Sequence, residues 1–337
     1  MNVRVVDVGG FQRQKSVVRA FHAALDRVAG DGVTGVIEEF SGSGFLWRGY
    51  HPFGVLDDVR DVSDRFWKPL KRSLSGLQRR EDVFFAGLNE VDGFKSVWVV
   101  SMGHLLGLFD EPWLGIRPSG KIVMLRYCTF HRVEGDRIAE TAMYFDIPHL
   151  MAQAGQNPFP DATAQHLVQP GPLTHDGLLL DPQPEAEGAR TLSLINAMVA
   201  DLGNWDLGLP LEEELERTWH DDMLWWGPTG IGASYTIERY AKQHAGPFRA
   251  AFGNRTRTGH IARLAEGRYG GFFGWPNFTA CLTGEFMGHA PTGRTGEFRV
   301  IDIYRREGGL LAENWIFIDL PHFWKTQGVD TLPEDAT

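Results

Sequence analysis

Ser119–Gly155 reads SGKIVMLRYCTFHRVEGDRIAETAMYFDIPHLMAQAG, and Thr292–Gly328 reads TGRTGEFRVIDIYRREGGLLAENWIFIDLPHFWKTQG. The two stretches align without a gap at an offset of 173, and 11 of the 37 positions are identical where chance gives about two. The shared residues include Gly120/Gly293, Arg126/Arg299, Glu140/Glu313, Asp146/Asp319, Pro148/Pro321, His149/His322 and Gly155/Gly328. Upstream, with small gaps, Gly107 answers Gly284, Pro69 answers Pro247, and the Trp47 region answers Trp226. The chain is a tandem duplication, with a first copy expected over 1–156, a linker over 157–189 and a second copy over 190–337. Between the copies, Gln156–Arg190 holds six of the 18 prolines and is expected to dock through Gly177-Leu178-Leu179-Leu180.

Each copy has the same order of elements. In the first, Val17, Val18, Phe21, Leu25 and Val28 form an apolar stripe at helical spacing, followed by Val33, Val36, Ile37 and Phe40, then Val59, Val62, Phe66 and Leu70. The period then drops to two in β-rich runs at 82–88, 95–109, 122–133 and 137–145, joined by turns such as Glu134-Gly135-Asp136. A helical tail over 148–154 stops at Gly155. Helices followed by an antiparallel meander predict an α+β unit, with helices packed on one face of a curved, mostly antiparallel sheet.

Composition excludes several functions. The chain has 337 residues and a net charge of −10, with no basic run longer than Lys71-Arg72 or Arg79-Arg80, so neither nucleic acid nor an anionic membrane surface is an expected partner. Its 22 Phe and 11 Trp are enough for packed cores or ring-lined cavities. Cys128 and Cys281 make neither a disulfide framework nor a four-thiolate site, and are expected reduced and buried. Met1–Gly10 lacks the basic start and apolar run of a signal peptide, and no window reaches about 18 apolar residues, so a cytoplasmic location is expected. With no Walker-type loop, no Gly-x-Gly-x-x-Gly, no Gly-x-Ser-x-Gly and no His-Glu-x-x-His, neither a cofactor nor a metal is expected.

The pattern Gly103-x-x-x-Gly107-x-Phe109, Ser119-Gly120-Lys121, Arg132-Val133-x-Gly135-x-Arg137-Ile138-x-Glu140, Asp146 and Gly155 resembles the SnoaL-like polyketide cyclases of the nuclear transport factor 2-like superfamily. The second copy matches through Gly284-x-Phe286-x-Gly288-x-x-Pro291-Thr292-Gly293-Arg294, Glu313-x-Trp315, Asp319 and Gly328. The His-Trp pair usual after the glutamate is Thr141-Ala142 in one copy and Asn314-Trp315 in the other. The resemblance implies two tandem cone-shaped units, each with a helix-lined pocket closed by the concave side of its sheet, paired as an intramolecular pseudo-dimer. It also implies a cofactor-free aldol ring closure with an aspartate of the last strand as base, and carries Asp146 and Asp319 into that role.

The residues themselves leave alternatives. Asp146 and Asp319 close the apolar runs Met143-Tyr144-Phe145 and Ile316-Phe317-Ile318, where burial raises a carboxylate toward a useful base. The same acids, each with a proline two residues on, equally suit helix N-caps. At strand spacing Glu140, Ala142, Tyr144 and Asp146 share a face, as do Glu313, Trp315, Phe317 and Asp319; each face reads as a pocket wall, or else the glutamates pair with Arg137 or Arg306 at the strand mouth. Arg126 and Arg299 either steady an enolate inside a cavity or join an ion pair between sheets. His51 and His104 are candidate acids or carbonyl-orienting groups near Trp47, Tyr50 and Trp67, with His131 a strand neighbour. In the second copy Trp225, Trp226, Tyr235, Tyr240, Trp275 and Trp315 form an aromatic set around Asp302, Tyr304 and Asp319, suited to a flat apolar ligand or to an ordinary core.

These readings converge on a cofactor-independent enzyme for a small apolar carbonyl compound, with Asp146 or Asp319 removing the proton alpha to the carbonyl and a neighbouring His, Tyr or Arg steadying the enolate. Aldol closure, isomerisation and elimination all follow from that step. The alternatives are a non-catalytic carrier of an apolar ligand and a hydrolase opening a strained ring with an Asp-activated water. The expected assembly is a monomer that is its own pseudo-dimer, or a higher homo-oligomer.

Overall fold

In the computed structural model, residues 10–160, 162–165, 168–203 and 208–333 are described; Met1–Gly9 of the N-terminal stretch lie outside them. The first apolar stripe becomes helix α1 (Gln12–Arg27), burying Val18, Phe21 and Leu25, and the second becomes α2 (Val33–Phe40). The third is one run made of α3 (Val59–Val62), a π-turn (Ser63–Trp67) and α4 (Lys68–Ser73), with Pro69 in the first turn of α4, where its missing N–H is harmless. The strands are β1 (Ser41–Gly49), β2 (Gly54–Leu56), β3 (Leu74–Leu88), β4 (Val97–Phe109), β5 (Ile122–Glu134) and β6 (Arg137–Phe145), followed by α5 (Ile147–Gln153). They lie in the order β2-β1-β6-β5-β4-β3.

The second copy repeats this plan. It comprises α6 (Glu185–Gly203), α7 (Leu211–Glu216), β7 (Trp219–Trp226), β8 (Ala233–Tyr235), α8 (Ile237–Tyr240), a π-turn (Ala241–Ala245), α9 (Gly246–Ala251), β9 (Phe252–Arg257), β10 (Ala262–Glu266), β11 (Tyr269–Leu282), β12 (Thr295–Glu307), β13 (Leu310–Ile318) and α10 (Leu320–Gln327). The sheet order is β10-β11-β12-β13-β7-β8, with β9 beside β11. Each unit is a cone of helices packed on a curved sheet.

Three features depart from expectation. The Gly-rich β1 pairs in parallel with β6, as β7 does with β13, so each sheet carries one parallel pair within the antiparallel meander. Register places Trp47 opposite Thr141 and Trp225 opposite Asn314, so Trp47 answers Trp225 and not Trp226. The long β3 begins at Leu74 rather than Asp82, its first half being too charged to read as a strand, whereas its counterpart is interrupted between β9 and β10. At the interruption, Thr258 N and Gly259 N donate to Asn277 O at 3.0 and 3.1 Å.

The two sheets pack outer face to outer face, and one continuous core holds Trp98, Phe130 and Tyr144 with Phe273, Trp315 and Phe317. Burying one hydrophobic face of each sheet against the other is what makes the chain a pseudo-dimer. The linker docks through its Leu run: Phe84 N donates to Gly177 O and Leu179 N to Phe84 O, both at 2.8 Å. A Cβ on Gly177 would lie 2.3 Å from Asp82 O, so only glycine admits this approach. Cys128 and Cys281 are buried and unbridged.

Candidate active site

Period-two alternation gives every strand two faces, and the packing decides their use. On β12 and β13, Phe298, Val300, Asp302, Tyr304, Asn314, Ile316 and Ile318 face the helices of the second cone and line a cavity of about 440 Å³. The matching space in the first cone, between Phe21, His22, Trp47, Trp67, His131 and Thr141, is about 20 Å³. The cause is side-chain volume. Where the first copy has Phe66, Trp67, Tyr127 and Phe145, the second has His244, Ala245, Val300 and Ile318, and these four smaller residues all line the larger cavity. Phe66 stacks on Phe145 at 4.9 Å and 4°, closing the first cone from inside.

Asp302 lies on the floor of the open cavity. Its Oδ1 accepts from Asn314 Nδ2 at 3.0 Å, the same amide donates to Ile303 O at 3.0 Å, and the Tyr304 hydroxyl hydrogen-bonds to the carboxyl group. No ion pair reaches it among the described residues. Burial pushes its carboxyl up to about 7, against the two hydrogen bonds that hold it down. Burial and the nearby Asp302 charge raise the hydroxyl pKa values of Tyr304 and Tyr240, so both stay protonated. A carboxyl poised near neutrality, among rings and beside two phenols, is equipped to take a proton from carbon and return it.

Residues 275–323, which run from within β11 through β12 and β13 into α10, match the family model of the SnoaL-like polyketide cyclases. This segment is SnoaL-like. Asp302, Tyr304 and Asn314 all lie within it. Among solved structures, a protein assigned as a SnoaL-like polyketide cyclase from Jannaschia sp. CCS1 is 19% identical, covering 47% of this chain and 100% of its own, with a TM-score of 0.35. An NTF2-like protein from Burkholderia xenovorans is 13% identical over 42% of this chain and 97% of its own, at 0.34. An LEH-like epoxide hydrolase from M. tuberculosis is 14% identical over 42% and 91%, at 0.31. No curated protein matches the chain.

Of the residues singled out from sequence, Asp302 and Tyr304 in the SnoaL-like segment, and Trp225 and Tyr240 before it, line the open cavity. Trp47, Trp67 and His131 line the filled one, where His131 contacts His22 at 3.3 Å and Thr141 at 2.8 Å. The face read as a pocket wall, with Trp315, Phe317 and Asp319, is turned to the other copy, because the cavity is on the opposite face of the same strand. The glutamates are ion-paired, but with Arg48, at 2.9 Å from Glu140, and with Arg305 beside Glu313, not with Arg137 or Arg306.

Asp146 and Asp319 form a pseudo-symmetric pair between the copies. Asp146 Oδ1 accepts from His149 N at 3.0 Å, capping α5, and its Oδ2 accepts from Thr229 N of the second copy at 2.9 Å. Asp319 accepts from His322 N at 3.2 Å, capping α10, and from His51 N of the first copy at 3.0 Å. His51 and Thr229 are 178 apart, the offset of Pro69 and Pro247, so one contact is used twice about a local twofold.

The remaining candidates belong to this contact region or to the outer sheet faces. Arg126 donates to Gly227 O at 3.3 Å and Ile316 O at 3.0 Å and lies 3.9 Å over the Phe317 ring, while Arg299 lies 4.1 Å over Trp275. Tyr144 donates to Gly274 O at 3.2 Å, Tyr50 packs on Tyr144 and Phe145, and Trp315 donates to Pro170 O at 3.0 Å. Trp226 lies in the core shared by the two copies, and His104 Nδ1 meets Asp82 at 3.2 Å. His244, His260 and Asn314 line the cavity without having been chosen from sequence; for Asn314 the signal was strand alternation counted from Asp302 and Tyr304, with Tyr304 directly opposite it in register. Among the described residues, no group of three or more His, Cys, Asp or Glu is gathered as a metal site, and no helix is long and apolar enough to cross a membrane.

Proposed function

We propose that the second copy is a cofactor-independent acid–base enzyme acting on a small, largely apolar carbonyl compound, and that Asp302 carries the proton. The observation behind this reading is the coincidence of the 440 Å³ ring-lined cavity with a buried carboxyl held by Asn314 and Tyr304 and lacking an ion pair among the described residues. In the proposed step the carboxylate takes the proton alpha to the carbonyl. The Tyr240 hydroxyl, protonated and on the cavity wall, donates to the enolate oxygen. Return of the proton at another atom, attack of the enolate on a second carbonyl, or loss of a leaving group gives isomerisation, aldol closure or elimination. Burial pushes the Asp319 carboxyl up to about 7 as well, but the base is placed at Asp302 because Asp146 and Asp319 are engaged by backbone amides on both sides of the copy interface and neither lines the cavity. The first copy, its cone filled, serves as the fixed partner of the second.

Native mass spectrometry of the purified protein tests the cavity. One ligand per chain is expected in the wild type and none in Ala245→Trp, which places in the second cone the ring that Trp67 places in the first. Two ligands per chain, or retention of the ligand by Ala245→Trp, would show the site to lie elsewhere. Activity on that ligand is expected to follow the deprotonated form of Asp302: kcat/KM rises with pH to a plateau above about 7, and the rising limb is absent in Asp302→Asn. A profile flat from pH about 5 to 9 would remove Asp302 from the step.

A further inference from the structure

His244 sits in the π-turn between α8 and α9, on the helix side of the cavity. Its ring lies flat on Trp225, with centroids 4.1 Å apart and 19° between planes, and the half-buried side chain lines the cavity. No hydrogen bond to the ring is made among the described residues. Burial alone lowers its pKa to about 3, so the imidazole is neutral and offers one N–H donor and one acceptor.

The duplication supplies an internal comparison. The first copy has its π-turn at the same place, and the residue equivalent to His244 is Phe66, which packs on Trp47 at 5.3 Å just as His244 packs on Trp225. An aromatic wall at this position therefore needs no nitrogen. An imidazole there adds to that wall two polar atoms, which no side chain or backbone group among the described residues meets and which border a cavity with room for a ligand. The N–H is placed to donate to an acceptor held in the cavity, and irregular helical turns of this kind recur at functional sites.

We propose that His244 is a ligand-binding donor: its neutral N–H holds an oxygen of the bound molecule, so the cavity selects a ring compound with a carbonyl or hydroxyl on the edge that faces the helices, in addition to the part that meets Asp302. This inference rests on the reading of the cavity as a site for a small carbonyl compound.

The test uses two bicyclic probes of nearly equal shape, 1-tetralone, which carries one carbonyl oxygen, and tetralin, which carries none. Binding is measured by isothermal titration calorimetry at about pH 8, where Asp302 is mostly ionised and a poor donor. Wild-type protein is expected to bind 1-tetralone about 5–10-fold more tightly than tetralin, the worth of one neutral hydrogen bond. His244→Phe, which installs the ring present at the equivalent place in the first copy, is expected to erase the preference while leaving tetralin affinity unchanged. His244→Gln, which keeps a donor, is expected to retain part of it. Equal binding of the two probes by the wild type, binding of neither, or a preference that survives in His244→Phe overturns the proposal. The acid–base reading fails separately: Asp302→Asn with undiminished turnover of the native ligand sinks that reading even where the oxygen preference depends on His244.

Discussion

Asp302→Asn is expected to lower kcat/KM for the cavity's ligand about 10²–10⁴-fold, the usual contribution of one positioned general base. Asparagine keeps the size of the carboxyl group and can still meet Asn314 and Tyr304, so the loss reports the missing proton acceptor and not a collapsed cavity. Stability is expected to move the other way. The folded carboxyl holds its proton up to about 7, whereas the unfolded one releases it near 3.8, so between those values the folded state binds more protons and wild-type stability falls as pH rises. Above about 7 the buried charge exacts its full cost, which the variant lacks. Thermal unfolding from pH about 4 to 9 should therefore show Asp302→Asn no less stable than wild type at the alkaline end and with a shallower decline between. An aspartate that merely braced the sheet would give the reverse result, lower stability with undiminished turnover.

Asp146→Ala and Asp319→Ala are each expected to destabilise the chain by about 2–4 kcal/mol, combining a lost helix cap of about 1 kcal/mol with an amide of the other copy left without its acceptor, about 1–3 kcal/mol. The larger effect is expected for Asp146→Ala. There the buried Arg126, 3.9 Å from the carboxylate and 2% exposed, also loses its nearest negative charge. Turnover per folded molecule should stay close to wild type, because neither carboxylate lines the cavity. Equilibrium denaturation in urea, paired with activity measured well below the transition, separates the two roles. An unchanged midpoint would remove the clamp, and a fully folded Asp319→Ala without activity would return Asp319 to the chemistry.

The duplication was legible because glycines, prolines and charged residues at turns and caps are constrained by local geometry and so match between copies. Asp146 with Pro148 and Asp319 with Pro321 could be read as N-caps on the same ground. The helices were legible from stripes such as Val18, Phe21 and Leu25, which need only one buried side. The missed strand, β1, is Ser41-Gly42-Ser43-Gly44 at its start, has little side-chain pattern of its own, and is held by parallel pairing to β6 a hundred residues away. His244 is not legible for a different reason: a histidine in a helical run has the same signature whether it faces solvent, core or cavity. What distinguishes it is the exchange between copies, Phe66 for His244 beside Trp67 for Ala245.

Residue order alone established two copies of one α+β unit and the two alternating faces of β13, because each of these depends on neighbours within a few residues, and it left Asp146 and Asp319 between base and helix cap. It could not say which face of β13 looks inward. Asn314, Ile316 and Ile318 line the cavity and Trp315, Phe317 and Asp319 meet the other copy only because helices cover one side of the sheet and a second sheet covers the other. A period of two specifies that the faces differ; long-range packing assigns them. The same packing made one cone hollow and the other full, through the summed volumes of residues far apart in the chain.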